Sequence, residues 1–268
     1  MASSRAFVLS LPLTPLHSLS LLFLLLLALP ALPLHAQSHT RGIDVSRFQG
    51  TVNWTKVAAD STLKFVYVKA TEGSSLRDPN YKTNLSKARK AGLLAGFYHV
   101  YSPKTTAYKQ MANIRKTVKK KDLDLIPVLD IESKYSVGLN MERVDKLLEL
   151  LEKEYGVKPM IYTGEHCYKQ HFSGKKYAKY HFFIAKYTGG APSVRHTLWQ
   201  YTESGHVKGV SGNVDISKFN RHHALADIKM PKKKEKAEKE KTSKENDAKP
   251  SEETPSKQVK DTSETATK

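Results

Sequence analysis

Two carboxylates stand two residues apart at the end of the segment Leu125-Ile-Pro-Val-Leu-Asp-Ile-Glu132. In a strand, positions i and i+2 share a face, so Asp130 and Glu132 are expected to enter one pocket from one rigid element. Like charges this close resist double ionisation, and one member of the pair is expected to keep its proton at neutral pH. A protonated carboxyl beside an ionised one suits cleavage of a glycosidic bond. One group protonates the leaving oxygen while the other stabilises developing positive charge or positions the attacking group. Taken alone, the pair is equally compatible with capping a loop or pairing with lysines.

Other apolar runs also end in polar groups. Asp44 ends the first, Lys69 and Glu72 follow the second, and Tyr98 and His99 end the third. Tyr162 ends the fifth, Lys186 and Tyr187 the sixth and Gln200 the seventh, while Asp215 lies in the last. Asp44 and Asp215 are therefore expected to join the central pair in one mouth. Four acids could also hold a divalent cation, but the chain lacks a calcium-loop spacing and a nearby histidine cluster, so no metal or cofactor is expected. Aromatic rings with a polar edge suit sugar faces. Tyr98, Tyr162, Tyr187 and Trp199 are assigned to the pocket, and Tyr67 and Tyr201 to packing. His99 alternates with Tyr98 and is placed in the barrel wall.

The elements that must position these groups are eight short apolar runs, at residues 42–46, 64–69, 93–100, 125–131, 159–163, 181–185, 197–201 and 214–217. Helical patterns lie between several of them. The clearest runs from Asn140 to Tyr155, with an apolar stripe of Val144, Leu147, Leu148 and Leu151, a capping Asn140 and a terminating Gly156. Weaker ones cover 80–91 and 108–118. Apolar strands alternating with helices predict a parallel sheet, and eight of them predict a closed β/α barrel with its active site at the strands' carboxyl ends. Connections after Pro159 are too short for full helices, which predicts an irregular barrel. No glycine-rich phosphate loop follows a strand, which argues against an open nucleotide-binding sheet.

Composition divides the 268 residues into three parts. Arg5 followed by the apolar stretch Leu19–Leu29 predicts a signal peptide over residues 1–36, cut after Ala36. Residues 37–228 are expected to form one catalytic barrel. Residues 229–268 read as a solvated, disordered Lys/Glu-rich tail. Cys167 is the only cysteine, so stability is expected from packing rather than disulfides. The formal net charge is +18, and the tail from Lys232 onward contributes only +2 of it. The surplus on the globular part favours an anionic envelope surface as a partner. Nucleic acid is not expected, because export and an acid-lined mouth oppose it.

Several segments resemble glycoside hydrolase family 25, the Chalaropsis-type lysozymes. These are Gly42-Ile-Asp-Val-Ser-Arg-Phe-Gln-Gly50 with Val52-Asn-Trp54, Val68-Lys-Ala-Thr-Glu-Gly73, Gly96-Phe-Tyr-His99 and Pro127-Val-Leu-Asp-Ile-Glu132. Pro159-Met-Ile-Tyr-Thr163, Trp199-Gln-Tyr-Thr202 and Gly212-Asn-Val-Asp215 follow in the family's order. The resemblance implies a flattened, irregular TIM-like barrel. It also implies hydrolysis of the β-1,4 bond between N-acetylmuramic acid and N-acetylglucosamine in peptidoglycan. By resemblance Glu132 is the general acid and Asp130 the assisting carboxylate. That carboxylate orients the substrate's N-acetyl group or stabilises an oxazolinium-like intermediate. Asp44 and Asp215 flank them, with Lys69, Glu72, Tyr98, Tyr162, Tyr187, Trp199 and Gln200 binding substrate. Two departures bear on substrate preference: Lys186 stands where the family often has a neutral amide, and Arg47-Phe48 where a His-Trp pair is common. The expectation is an exported, monomeric muramidase acting on peptidoglycan glycan strands in the periplasm, envelope or medium. A barrel that binds peptidoglycan without cutting it is the alternative.

Overall fold

A computed structural model describes residues 40–132 and 139–231. The expected signal peptide and residues 232–268 of the expected tail lie outside the described residues. Nine strands form one sheet: β1 (Arg41–Val45), β2 (Leu63–Glu72), β3 (Leu76–Arg77), β4 (Leu94–Val100), β5 (Val128–Asp130), β6 (Met160–Gly164), β7 (Phe182–Ala185), β8 (Leu198–Gly205) and β9 (Val214–Phe219). β1 also pairs with β2, so the strands close into the ring β1-β2-β4-β5-β6-β7-β8-β9, with β3 an antiparallel annex on β2. The barrel strands coincide with the eight apolar runs of the sequence.

The expectation of an all-parallel sheet needs one correction. β9 runs antiparallel to both β8 and β1. The reason is the connection: the eight residues 206–213 are too few for the crossover a parallel neighbour requires, so the chain turns back beside β8. Reversal places the start of β9 at the mouth, so Asp215 lies directly opposite Asp44 in the β1–β9 ladder.

Helices cover the first half of the ring: α1 (Trp54–Ala58), α2 (Tyr81–Lys90), α3 (Ala107–Thr117) and α4 (Met141–Tyr155). α4 shows why these segments fold as they do. Asn140 Oδ1 accepts from the Arg143 N–H at 2.9 Å, and Gly156 ends the helix at φ 70°, a left-handed conformation that suits glycine. Val144, Leu147, Leu148 and Leu151 are all buried against the barrel. Each contributes roughly 1.5–3 kcal/mol by leaving water. Between β6 and β7 the crossover shrinks to a short helical segment, Glu165–Cys167, and a wide turn at Tyr168–Phe172, which makes the barrel irregular there.

Two apolar clusters follow from the alternation of the strands. One fills the space between barrel and helices. The other fills the lumen, with Phe65, Tyr67, Val128, Met160, Phe183 and Leu198. A short 3-10 turn, Leu225–Ile228, closes the lumen from below, and the buried Ile228 joins that cluster. Lumen packing is tight where β2 presents rings to glycines. Phe65 sits beside Gly42 and Tyr67 beside Gly96 in the register. A Cβ on Gly96 would lie 2.6 Å from Tyr67 Cε1 and 2.9 Å from Leu125 Cβ. Gly96→Ala is therefore expected to destabilise the fold by about 1–3 kcal/mol, read as a lower urea midpoint. An unchanged midpoint would mean that the floor of the site is looser than this packing shows.

Candidate active site

The carboxyl ends of the parallel strands open into a cleft lined by Asp44, Lys69, Tyr98, Asp130, Glu132, Tyr162, Gln200 and Asp215, with Tyr67 and Phe183 beneath. Its volume is about 240 Å³, below the roughly 300–1,000 Å³ of pockets that enclose a whole ligand. A cleft of that size suits one unit of a longer chain that continues along the surface.

Backbone pairing sets the level of each acid. Asp130 is in register with Val100 on β4 and Tyr162 on β6. The next residue is held on both sides: the Ile131 N–H donates to Tyr162 O at 2.9 Å, and Thr163 Oγ1 donates to Ile131 O at 2.8 Å. Glu132 thus leaves the sheet from a fixed point, and both carboxylates line the same cleft, as strand alternation requires.

Asp44 lies across the lumen and is buried. Gln200 Nε2 donates to its Oδ2 at 3.0 Å and Ser217 Oγ at 3.4 Å, while Oδ1 has no hydrogen-bond partner among the described residues. Burial, then the charge of Asp215, pushes the Asp44 carboxyl up to about 8. Burial also raises Asp215, to about 6, with Glu203 adding to it. At neutral pH Asp44 therefore carries a proton. Tyr162 and Tyr187 hydroxyls both donate to Gln200 Oε1, at 2.8 and 2.6 Å. Two donors on Oε1 leave the amide nitrogen facing Asp44, so these tyrosines orient the group that holds the acid.

The other expected site residues divide. Tyr98 lines the cleft, and burial followed by the nearby acids, Asp130 foremost, raises its hydroxyl well above the usual value. Tyr187 is not part of the lining; 42% exposed, it meets the site through its bond to Gln200. Lys69 lines the cleft and pairs with Glu72 at 2.7 Å; Glu72 itself is not part of the lining. Trp199 is placed elsewhere. It alternates with Gln200 onto the outer face of β8, where its indole N–H donates to Lys186 O at 2.7 Å and the Lys218 ammonium lies 4.6 Å from its ring centroid. His99 is in the wall. It bonds Thr71 Oγ1 at 2.7 Å and Gln110 Oε1 at 3.0 Å, and burial lowers it to about 4.

Among the lining residues to which sequence reasoning gave no site role are Ser46, Phe48 and Gln49. They form one device. Ser46 Oγ accepts from the Phe48 N–H at 3.2 Å, and the Ser46 N–H donates to Gln49 Oε1 at 2.9 Å. This reciprocal cap turns the chain so that Phe48, 75% exposed, stands over the cleft. The available signal was the Ser-x-x-Gln spacing directly after Asp44.

Acids gathered at the carboxyl mouth of a β/α barrel, flanked by tyrosines and an exposed ring, define a carbohydrate-cleaving type of site. Comparison with known proteins agrees. Residues 43–210 match the family described as glycosyl hydrolases family 25. The chain is 36% identical over 188 residues to the uncharacterized protein YegX of Escherichia coli, covering 67% of this chain and 69% of that one. It is 32% identical over 203 residues to lysozyme M1 of Streptomyces globisporus, covering 68% of each. Among solved structures, the bacterial lysozyme of Streptomyces coelicolor superposes with a TM-score of 0.63 at 29% identity, over 70% of this chain and 94% of that one. A family 25 lysozyme from Aspergillus fumigatus gives 0.60 at 26%, over 70% and 96%. The chain belongs to glycosyl hydrolase family 25.

Proposed function

We propose that this protein is a peptidoglycan muramidase in which Glu132 protonates the leaving oxygen. The bond cut is the β-1,4 link from C1 of N-acetylmuramic acid to N-acetylglucosamine. The observation that carries this reading is the convergence of Asp130 and Glu132, from one pinned strand end, into a cleft that also holds Asp44 and Asp215. As the C1–O bond breaks, the proton of Glu132 passes to the departing sugar oxygen and positive charge grows at C1. Asp130 acts on that charge, either by orienting the 2-acetamido group so that its oxygen supports C1 or by stabilising the resulting oxazolinium-like species. Water completes hydrolysis at C1. Asp44, neutral at pH 7, and Asp215 flank the reacting ring. Tyr98, Tyr162 and Lys69 contact the bound sugar, and the ring of Phe48 offers a platform to the adjoining one.

The reading includes export, on the strength of the apolar N-terminal stretch, with residues 1–36 as signal peptide and work at the envelope as a monomer. It needs no cofactor. The test is chemical. Purified peptidoglycan is digested, reduced with borohydride and analysed by mass. Muraminitol at the new ends is expected. Glucosaminitol would assign a different bond, and binding without new reducing ends would favour the non-cutting barrel.

A further inference from the structure

The connections that follow β6 and β7 leave the sheet side by side at the mouth. Gly164 and Ala185 are partners in the β6–β7 register, so the next residue of each chain segment, Glu165 and Lys186, start out as neighbours. Their side chains meet. Lys186 Nζ lies 2.8 Å from Glu165 Oε2, and the two side chains are only 23% and 13% exposed. The other carboxylate oxygen, Oε1, accepts from the Ser193 N–H at 3.2 Å and from the Ser193 hydroxyl, and Lys169 Nζ stands 3.0 Å from it. Lys186 first, then Ser193, holds the Glu165 carboxyl well below the usual carboxylate range. One carboxylate thus ties down both ends of residues 186–193.

That stretch depends on such a tie. Gly189 and Gly190 turn it through left-handed conformations, φ 71° and 80°. Residues 188–193 make no backbone-to-backbone hydrogen bond among the described residues. Lys186 Nζ also donates to Ala191 O at 3.3 Å, across the turn. The start of the stretch is fastened to β8. There the Lys186 N–H donates to Gln200 O at 3.0 Å, and Lys186 O accepts from the Trp199 indole at 2.7 Å. The next residue is Tyr187, whose hydroxyl donates to Gln200 Oε1 at 2.6 Å, and Gln200 in turn donates to Asp44. A continuous chain of contacts therefore runs from Glu165 through Lys186 and Tyr187 to a buried acid of the cleft.

We propose that Glu165 is a positioning residue for the cleft: its hold on Lys186 and Ser193 fixes the β7–β8 connection so that Tyr187 keeps Gln200 turned toward Asp44. The effect on turnover rests on the muramidase reading; the hold itself does not. Lys186, standing where the family often has a neutral amide, then serves Glu165 and not the substrate, in keeping with its place outside the cleft lining. A mostly buried carboxylate at 165 requires a cation beside it.

The test is a double-mutant cycle in the full chain: parent, Glu165→Gln, Tyr187→Phe and both together, read as kcat/KM on soluble glycan fragments. Glutamine keeps the shape of Glu165 and an acceptor for Ser193 but has no charge for Lys186. Each single change is expected to lower kcat/KM about tenfold, since Tyr162 still donates to Gln200. The double variant should fall no more than about twofold below the lower single variant. A role confined to local stability would leave Tyr187→Phe costing its full factor in the Glu165→Gln background, and that additivity would overturn the proposal. So would an unchanged kcat/KM in Glu165→Gln. Should that variant fold poorly, Lys186→Met takes its place in the cycle, with the same non-additivity expected and additivity again overturning the proposal. Hydrogen exchange read by mass gives a measure independent of activity. Residues 187–193 should exchange at least about tenfold faster in Glu165→Gln while α4 is unchanged, and equal exchange would overturn the proposal. A parent chain that releases no reducing ends would remove the muramidase reading, and exchange alone would then decide whether Glu165 holds the connection.

Discussion

Glu132→Gln is expected to slow peptidoglycan cleavage by about 10²–10⁴-fold while leaving thermal unfolding close to that of the parent chain. Glutamine keeps the shape of the side chain and its place in the cleft but has no acidic proton to give. The backbone beneath it is held by the Ile131 N–H to Tyr162 O bond and the Thr163 hydroxyl, neither of which involves the side chain of Glu132. A large rate loss with an unmoved melting midpoint therefore belongs to chemistry rather than to folding. Comparable lysis by the variant would assign the acid to another residue of the cleft.

The second large effect concerns stability and its dependence on pH. Asp44 titrates near 8 in the folded protein against a reference of 3.8, because burial and Asp215 disfavour its charge. Between those two values the native state holds a proton that the unfolded chain releases. Stability is therefore undiminished by this group below about pH 4 and falls as pH rises toward 8. The full difference amounts to about 6 kcal/mol, an upper figure for a buried carboxyl. Asp44→Asn removes the titration and keeps an acceptor for Gln200. The variant is expected to gain on the parent chain steadily from pH 5 to pH 8 in urea unfolding, by several kcal/mol at the upper end. An equal difference at both values would show that Asp44 is ionised in the native state at neutral pH. Cleavage is expected to suffer in the same variant, since Asp44 lines the cleft.

How far this could be seen in the sequence differs between elements. Positions of the eight barrel strands were legible because short β-branched and aromatic runs, bounded by turn residues and spaced between helical patterns, read as buried strands. Direction was not legible. An apolar run reads the same in a parallel or an antiparallel ladder, and the reversal of β9 shows only as a short connection at residues 206–213. That reversal matters for the site. It sets Asp215 against Asp44, and the raised carboxyls described here are these two, a pairing that spacing along the chain does not reveal. Alternation was enough to bring Asp130 and Glu132 into one cleft. It also separates Gln200 from Trp199, although both belong to one motif: the amide points inward and the indole outward. Tyr67 was assigned to packing and is indeed buried, donating to Ile126 O at 3.3 Å, yet it also floors the cleft. Phe48 stood out only as a departure from the family's motif, because its placement over the cleft depends on a turn rather than on periodicity. The Ser46–Gln49 cap that orients it is a local hydrogen-bond pattern, visible only to a search for caps.

The central claim, that Glu132 supplies the proton to the leaving oxygen, is tested most directly by changing how much the leaving group needs one. The parent chain and Glu132→Gln are compared on peptidoglycan glycan and on an aryl glycoside of the same sugar whose phenol leaves unaided. The account predicts a loss of at least about 10²-fold on the glycan and little loss on the activated aryl substrate. An equal loss on both would contradict it, placing Glu132 outside the step in which the leaving oxygen is protonated.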